Sequence, residues 1–496
     1  MAIHISVGIM VGATSRQLFD QLHDAGVRYC LFKSNAHLGA ALSGETDLDV
    51  LFDGAQIDLV HAILAGAGFK RFPTSPIRSY AGKEDFFGVD GESGRLLHLD
   101  THYRLIVGAS YFKNFRLPWE HRMLDTATLD PEHGVYVAEP AHELLLLATR
   151  AALKLGPPQP VTPKRGASQN MLDERDWLLK QVRLDDVVRL SREILGEHTA
   201  LLVEAAVSDG FGRQSLRALR SALVSSLEGY RTYGPIVAEG VRRKRQLQYL
   251  LGAINRRYVH APFGYSRGGT SGGLIVALVG SDGSGKSTLN SSLFSWLTSK
   301  LDVMPVYFGS GDGRVSLLRM PLWAIRQVQQ RGRSHEARDP QTRMNRPVTW
   351  KLVVWALILA REKHLKLDKA TKARARGLIV ICDRYPQTQQ PGVNDGPLLF
   401  SWEESASSIK RRIAAIEAKP YERASTIGPD VVIRLKATPE VAHARKPGEN
   451  LANLEFRADS VSNLDFPAAR RVIEIDADQD AETVLMQAKT QLWTDL

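Results

Sequence analysis

The segment that decides the fold of the C-terminal half lies at residues 274–293 and reads LIVALVGSDGSGKSTLNSSL. It starts with an apolar, strand-like run, continues through a loop rich in glycine and serine, and ends in a segment with helical periodicity. The loop, residues 280–287, matches the pattern G-x-x-x-x-G-K-[ST] between a strand and a helix. Loops of this kind turn backbone N–H groups toward phosphate oxygens. The sequence therefore predicts a P-loop that binds a nucleoside triphosphate, which we take to be ATP.

Each residue of the loop has a predicted role. The glycines allow the backbone to turn around the phosphates, and Lys286 reaches the terminal phosphates from an exposed position. Ser287 is a predicted Mg²⁺ ligand at the positive end of the following helix. The predicted ATP-binding residues are Gly280, Gly283, Ser284, Gly285, Lys286, Ser287 and Thr288.

The composition is that of a soluble chain with a basic excess. A length of 496 residues exceeds what one core usually supports and suggests two or three domains. The 64 Lys and Arg residues outnumber the 54 Asp and Glu residues, giving a net charge of +10. This excess suits anionic partners such as nucleotides, and it permits nucleic acid as a partner without favouring it.

Cysteine usage and hydropathy bear on the compartment. Only two cysteines occur, so the sequence excludes a disulfide framework and a cysteine-rich zinc site, and it fits a reducing cytoplasm. The longest apolar run, residues 352–360, is about half of what a membrane span requires. The first residues lack a basic segment before their apolar stretch, so we expect neither a signal peptide nor a transmembrane helix.

Four regions follow from the pattern along the chain, and the predicted fold class is multidomain α/β. The first region mixes strand-like and helical segments, and the second has helical periodicity throughout. The third is rich in glycine, which packs poorly and is typical of a linker. The predicted regions are a small α/β domain at 1–139, a helical domain at 140–258, a linker at 259–273 and a parallel α/β P-loop domain at 274–496.

The C-terminal region resembles the thymidylate kinase family over residues 274–496. Besides the P-loop, the resemblance rests on LILAREKHLKLDKATKARARGLIVICDRYP at 357–386, GPDVVIRLKATPEVAHARK at 428–446 and RVIEIDADQDAETVLMQ at 471–487. The resemblance implies a P-loop kinase fold and phosphoryl transfer from ATP with Mg²⁺.

Two of the matching residues also have a physical interpretation of their own. Asp383 ends the apolar run LIVIC, where its carboxylate can reach Mg²⁺ or a metal-bound water at the mouth of a parallel sheet. The neighbouring Arg384 can clamp a phosphate.

Other site residues are assigned by the resemblance. It makes Arg361 and Asp282 contacts to the acceptor, and it places Arg445 and Lys446 in a lid that supplies positive charge to the transferred phosphoryl group. A solvated surface arginine is the alternative for Arg361, and an ordinary basic loop is the alternative for the other pair.

The sequence departs from the family where the acceptor base would bind. VYFGSGDGRVSLLRM at 306–320 replaces an expected acceptor segment, and PQTQQPGVNDGPLLF follows the motif Asp383-Arg384-Tyr385. A long insertion, residues 326–350, has no counterpart. We therefore predict a kinase whose acceptor is a nucleotide or small molecule other than dTMP.

The N-terminal region carries a second group of carboxylates. Asp47 and Asp49 alternate in a strand-like run and so share one face, and Asp100 stands on another run, LLHLDTHY. Three converging carboxylates are typical of a site for two hard cations. The alternative is that they are surface aspartates on half-buried strands.

This arrangement resembles the nucleotidyltransferase fold of the DNA polymerase β superfamily, which places a Gly-Ser turn before the D-x-D pair. Here Lys33 and Ser34 stand at that turn, and the resemblance makes Ser34 a nucleotide contact. It implies that Asp47, Asp49 and Asp100 hold metal and carry catalysis. In the helix that follows, Asp173, Glu174 and Asp176 are interpreted as an exposed face, with a position in the cleft as the alternative.

Two interpretations of function remain. In the first, the chain is an ATP- and Mg²⁺-dependent phosphotransferase whose nucleotidyltransferase-like region acts on the same acceptor. In the second, the carboxylate site is inactive and the chain is an ATP-dependent binding or switching module, with nucleic acid as one conceivable partner. Acceptor-independent ATP hydrolysis stimulated by nucleic acid would favour the second interpretation.

Overall fold

A computed structural model describes most of the chain. The described residues are 15–75, 79–109, 112–155, 167–259, 261–264, 267–269, 272–309, 348–447 and 451–496. The first residues, most of the segment at 306–320 and nearly all of the insertion at 326–350 lie outside these ranges. The chain folds as two compact units, residues 1–254 and 255–496. A further division of the first unit at residue 139 stays a prediction.

Unit 1 contains a mixed seven-stranded sheet with the order β3-β4-β5-β2-β1-β9-β8, beside a two-stranded sheet of β6 and β7. Strands β2 and β5 run parallel, whereas β4 is antiparallel to β5. The strands are β1 Tyr29–Leu31, β2 Leu48–Phe52, β3 Lys70–Arg71, β4 Lys83–Val89, β5 Leu96–His102, β6 Leu105–Ala109, β7 Phe112–Leu117, β8 Thr128–Leu129 and β9 Tyr136–Val137.

Helices of unit 1 cover the sheet and form a bundle. They are α1 Ser15–Asp24, α2 Leu38–Leu42, α3 Ile57–Gly66, α4 Glu120–Asp125, α5 Pro140–Lys154, α6 Gln169–Leu178, α7 Leu184–Leu195, α8 Glu197–Ser208, α9 Arg213–Ser226 and α10 Pro235–Ile254. The run LLLLA in α5, residues 144–148, is apolar on every side and is fully buried, as expected for a helix enclosed by its neighbours. Helix α5 thus packs against α6 to α9 and β6, and it is the centre of the larger core of this unit.

Unit 2 is built on a five-stranded sheet with the order β11-β12-β10-β13-β14, in which every neighbouring pair is parallel. Its strands are β10 Leu274–Gly280, β11 Val303–Tyr307, β12 Ile379–Asp383, β13 Val431–Lys436 and β14 Arg471–Asp476. Its helices are α11 Lys286–Thr298, α12 Trp350–Ala375, α13 Ser408–Ile427, α14 Pro439–Arg445, α15 Leu451–Ser462 and α16 Ala481–Asp495.

The α/β fold class predicted from the sequence is confirmed. Strand β10 is central and carries a continuous run of buried apolar residues, as parallel strands covered on both faces do. In such a sheet, ligands bind outside the carboxyl ends of the strands, where β10 ends at Gly280 and β12 ends at Asp383. Among the described residues, no helix combines the length and apolar character needed to cross a membrane.

The glycine-rich stretch before β10 was expected to pack poorly, and this expectation is wrong for its described part. The N–H of Gly273 donates to the Arg374 carbonyl at 2.9 Å, and the N–H of Gly269 donates to the Gly377 carbonyl at 2.9 Å. A Cβ atom on Gly273 would lie 2.4 Å from the carbonyl oxygens of Arg374 and Leu378. Glycine is needed here because two backbones approach closely, and this part of the stretch belongs to unit 2.

We predict that Gly273→Ala destabilises unit 2 by about 1–3 kcal/mol, because the added methyl group must push apart backbone atoms in a packed region. The matched control is Gly264→Ala, whose Cβ would meet its nearest neighbour, Asp302 Oδ2, at an ordinary 3.6 Å. Hydrogen exchange of β10 peptides in increasing urea measures the effect. Equal stability of the two variants would contradict the prediction.

Candidate functional site

The P-loop connects β10 to α11 and turns through two glycines in the left-handed region. Gly283 has φ 84° and Gly285 has φ 82°, and Gly285 is the N-cap of α11. A Cβ on Gly283 would lie 2.5 Å from the carbonyl oxygen of Ala442 in α14. The loop therefore packs directly under α14, the helix that leads into the predicted lid.

Lys286 is the first residue of α11 and is 6% exposed, so the expectation of an exposed loop lysine is wrong. Its Nζ donates to the carbonyl oxygen of Ser281 at 3.3 Å, which folds the side chain back over the loop. Burial, together with the positive charge of Arg384, lowers the pKa of Lys286 below its ordinary value. Ser287 and Thr288 are exposed at the start of the helix.

Asp383 stands at the carboxyl end of β12, paired in register with Leu278 of β10. Its Oδ1 atom is buried and has no hydrogen-bond partner among the described residues. Burial raises the pKa of Asp383 above its ordinary value, although the positive charges of Lys286 and Arg384 act in the opposite direction. A buried carboxylate oxygen without a partner fits Mg²⁺, for which Ser287 on α11 offers a hydroxyl.

Arg384 joins two carboxylates beside the loop. It has φ 67°, and it donates to Asp282 at 3.2 Å and to Asp395 at 3.5 Å. Arg457 of α15 also donates to Asp282. Burial alone would raise the pKa of Asp282, but the positive charges of Arg457 and Arg384 hold it below its ordinary value.

A lysine on α12 also supports this network. Lys363 is 3% exposed, and its Nζ donates to the carbonyl oxygen of Asp395 at 2.9 Å and lies 3.6 Å from Oδ1 of the same residue. The segment that holds Asp395 is pinned by Gln387, whose side-chain amide donates to three carbonyls between residues 390 and 394. A series of hydrogen bonds and ion pairs thus connects Lys363 to the P-loop through Asp395 and Arg384.

Sequence reasoning missed Lys363, Asp395 and Arg457. Asn394 has φ 47° and Asp395 has φ 67°, and such strained positions concentrate at functional sites. An Asn-Asp-Gly run tolerates this geometry, and that run was the signal in the sequence.

Arg361, Arg445 and Lys446 have different surroundings in the structure. Arg361 is exposed on α12, about 200° around the helix from the buried Lys363. Arg445 donates to the carbonyl oxygens of Ala477 at 2.8 Å and Gln479 at 3.3 Å, after β14. The positive charge of Lys446, in contrast, acts on Asp282 in the P-loop.

Unit 1 gathers a different cluster around β2 and β5. Asp49 lies opposite Asp100 in the parallel register, and one ligand atom from each lies within 4.8 Å of the others and of a ring nitrogen of His102. Asp47 shares their face but lies beside His98, with its Oδ1 2.9 Å from Nδ1. The structure thus brings together two of the three predicted carboxylates, and His102 was missed although it alternates with Asp100 along β5.

Both carboxylates of this cluster already contact lysines. Lys33 bonds to Asp49, and Lys83 lies 2.9 Å from Asp100 and 3.1 Å from Asp85. Burial would raise the pKa of Asp49, but the charges of Lys33 and His102 hold it far below its ordinary value. A cation that entered here would have to displace an ammonium group.

The turn before the cluster is held from the helical bundle. Ser34 has φ 56°, and its N–H donates to Glu174 of α6 at 3.1 Å. The N–H of Asn35 donates to Glu143 of α5 at 3.2 Å, and its side-chain amide donates to the same carboxylate at 2.8 Å. The exposed-face interpretation is therefore wrong for Glu174, which is 8% exposed and reaches the turn.

The geometry of unit 2 defines a P-loop nucleotide-binding fold, with the loop at the carboxyl end of the central strand of a parallel sheet. A search of known protein-family profiles finds no match. The chain is 15% identical to a thymidylate kinase of Ehrlichia chaffeensis of known structure, with a TM-score of 0.25, and the match covers 45% of this chain and 98% of that one.

Curated relatives are also found. The chain is 30% identical over 217 residues to YghS of Escherichia coli (strain K12), which is described as an uncharacterized ATP-binding protein. The match covers 42% of this chain and 89% of YghS. The chain is 28% identical over 218 residues to YghR of the same strain, which carries the same description, covering 43% of this chain and 85% of YghR. The chain belongs to the family of YghS.

Glu143 gives unit 1 a predicted pH dependence. Burial, with the nearby charge of Glu174, raises the pKa of Glu143 to about 7 from its usual 4.5. Since the folded state binds this proton more tightly than the unfolded state, the stability it contributes is complete below pH 4.5 and is lost as the pH rises through 7. Raising the pH from 4.5 to 8 should therefore lower the free energy of unfolding of unit 1 by about 3 kcal/mol more in the wild type than in Glu143→Gln.

The matched control is Glu204→Gln, on the exposed surface of α8 in the same unit. Urea titrations at several pH values, followed by hydrogen exchange of α5 peptides, separate unit 1 from unit 2. If Glu143→Gln and Glu204→Gln showed the same pH profile, the buried carboxylate would not be the cause.

Proposed function

We propose that the chain is an ATP- and Mg²⁺-dependent phosphotransferase that acts on a small molecule or a nucleotide other than dTMP. The observation that carries this proposal is the buried Oδ1 of Asp383, which has no hydrogen-bond partner in the part of the chain that the structure describes and lies at the edge of the sheet where the P-loop begins. ATP binding by the relatives agrees with the loop geometry.

Roles follow from position. The loop amides and Lys286 would hold the phosphates of ATP, and Asp383 with Ser287 would hold Mg²⁺, which neutralises charge on the transferred group. Arg384 would contact the phosphoryl group in flight, because its guanidinium lies beside the P-loop and donates to Asp282. Lys446 would add positive charge from the lid side.

Asp395 restricts the chemistry of the acceptor. A monophosphate acceptor needs a guanidinium free to bind it, yet Arg384 already contacts Asp395, whose side chain is only 7% exposed and is fixed by Lys363. The carboxylate would repel an acceptor phosphate placed at the same position. This arrangement favours an acceptor that presents a hydroxyl or an amine, which can donate a hydrogen bond to a carboxylate.

We predict that Lys286→Met lowers phosphoryl transfer by about 100-fold or more, because the ammonium group is lost while the buried volume is kept. The assay is ADP release by the full chain with ATP and Mg²⁺, screened against metabolites and oligonucleotides for dependence on an acceptor. Lys419→Met, on the exposed surface of α13, is the matched control and should retain the wild-type rate. Undiminished ADP release by folded Lys286→Met would contradict the proposal.

We also predict that dTMP does not raise ADP release above the rate without acceptor. Asp395 occupies Arg384, and the segments that would bracket a pyrimidine in the thymidylate kinase family are replaced. The measurement is formation of dTDP, separated by chromatography, at micromolar to millimolar dTMP. Saturable dTDP formation at micromolar dTMP would overturn this part of the proposal.

The second function, an ATP-dependent binding or switching module, makes a different prediction in the same screen. Asp282 of the P-loop forms ion pairs with Arg384 and with Arg457 of α15. In this function, nucleotide binding at the loop would change the position of α15 through Arg457. ADP release that ignores every small acceptor but rises with an oligonucleotide would favour this function.

The nucleotidyltransferase interpretation of unit 1 stays a prediction. The parallel register of Asp49 and Asp100 supports it, whereas the lysine contacts of both carboxylates do not favour a site for two cations. The proposed function therefore rests on unit 2.

A further inference from the structure

A small cavity in unit 1 lies beside the turn at Ser34, and its lining is cationic. Its volume is about 60 Å³. Lys33 of the turn, Lys113 of β7 and Arg150 of α5 line it together with His102, and the remaining lining residues are aromatic or aliphatic. No carboxylate is among the described residues that line it.

The positive charge at this cavity exceeds the negative charge that faces it. Lys33 is matched by Asp49, but Arg150 has a carboxylate only at 3.9 Å, on Glu174. Lys113 is half-buried and forms no ion pair with a described residue. Burial, followed by the charges of Lys33, Arg150 and Lys154, lowers the pKa of Lys113 to about 7. Three cations thus face one close carboxylate, Asp49, and one more distant carboxylate, Glu174, and this excess of positive charge is unfavourable unless an anion joins them.

The contacts of the neighbouring carboxylates disfavour a metal ion that would bridge the protein to such an anion. The carboxylates that would hold the metal, Asp49 and Asp100, are bonded to Lys33 and Lys83. The N–H groups of Ser34 and Asn35 are also engaged, since they donate to Glu174 and Glu143. An anion at this cavity would therefore be bound by the cationic side chains of the lining.

We propose that this cavity binds the dianionic phosphoryl group of a phosphate monoester, directly through Lys113, Arg150 and Lys33 and without a bridging metal ion. The site lies in unit 1 and is independent of the kinase function proposed for unit 2. The cavity is about twice the volume of one water molecule, so it admits a phosphoryl group and leaves the ester portion outside. Free inorganic phosphate carries the same group.

Lys113 itself provides a local readout. An amine with a lowered pKa is partly unprotonated at neutral pH and reacts with acetic anhydride, whereas an amine that holds a phosphate dianion stays protonated and reacts slowly. The experiment measures the acetylation rate of individual lysines in the full chain by mass spectrometry, at pH 7.5 in EDTA. Because the readout is a single lysine of unit 1, phosphate bound at the P-loop does not register.

The probes are inorganic phosphate, glucose 6-phosphate and AMP, each compared with sulfate-free buffer of equal ionic strength. We expect a several-fold slower acetylation of Lys113 and no change at Lys180, an exposed lysine just after α6. Equal protection by all three probes would mean that the phosphoryl group alone suffices, and stronger protection by one ester would show which ester portion is preferred. Both results support the proposal.

Arg150→Met should abolish the protection, and Arg183→Met, whose side chain is 81% exposed, should preserve it. The wild-type measurement stands even if Arg150→Met does not fold. Acetylation of Lys113 that is unchanged by millimolar phosphate and by both esters would overturn the proposal. Protection that appears only after Mg²⁺ or Mn²⁺ replaces EDTA would also overturn it, since the anion would then be held through a metal.

Discussion

The site in unit 2 depends on the interaction of the buried ammonium group of Lys286 with nearby carboxylates. An ammonium ion taken out of water is destabilising unless opposite charge lies close by, and here Asp282 and Asp383 supply it. Asp282 in turn contacts Arg384 and Arg457 and so brings both guanidinium groups to the loop. The charged side chains of the site thus already contact one another before any ligand arrives, whereas the inner oxygen of Asp383 and the hydroxyl of Ser284 have no hydrogen-bond partner among the described residues. Of these two atoms, the carboxylate oxygen of Asp383 carries negative charge and marks where a cation would bind.

Unit 1 also contains buried charged groups, but there lysines compensate the carboxylates. Its carboxylates on β2 and β5 are balanced by lysines, and the backbone amides of its turn are satisfied by Glu143 and Glu174. Helix α5 connects these features, because it carries Glu143 to the turn and Arg150 to the cavity while its apolar residues fill the core. A change in the packing of α5 would therefore reach the turn and the cavity together. What remains unbalanced at this cavity is positive charge, not negative.

The sequence predicted the fold class, the P-loop and the strand that ends at Asp383, because these follow from local patterns: apolar runs, glycines at fixed spacing and a polar residue after a strand. It also predicted that Asp49 and Asp100 converge, although it included Asp47, which lies beside His98 instead. It could not predict Lys363, Glu143 or Glu174, whose importance comes from partners far along the chain; Asn35 and Glu143, for example, are 108 residues apart. A charged residue on a helix gives no local sign of whether it is solvated or buried against a turn. The burial of Lys286 was missed for the same reason, since charged groups distant in sequence, such as Asp383 and Arg384, come near it only in the folded chain.

The two units differ in which groups are left to recognise an anion, and this difference has a chemical consequence. At a P-loop, backbone N–H groups and the start of a helix bind phosphate, and these donors keep their charge state at any pH. In the cavity of unit 1 the corresponding backbone donors are already taken, so binding depends on ammonium groups. One of them, Lys113, has a pKa near neutrality. Filling that cavity with a dianion would hold a proton on Lys113, so binding there is accompanied by proton uptake and weakens as the pH rises above 7, whereas binding at the P-loop is not linked to the titration of its amides.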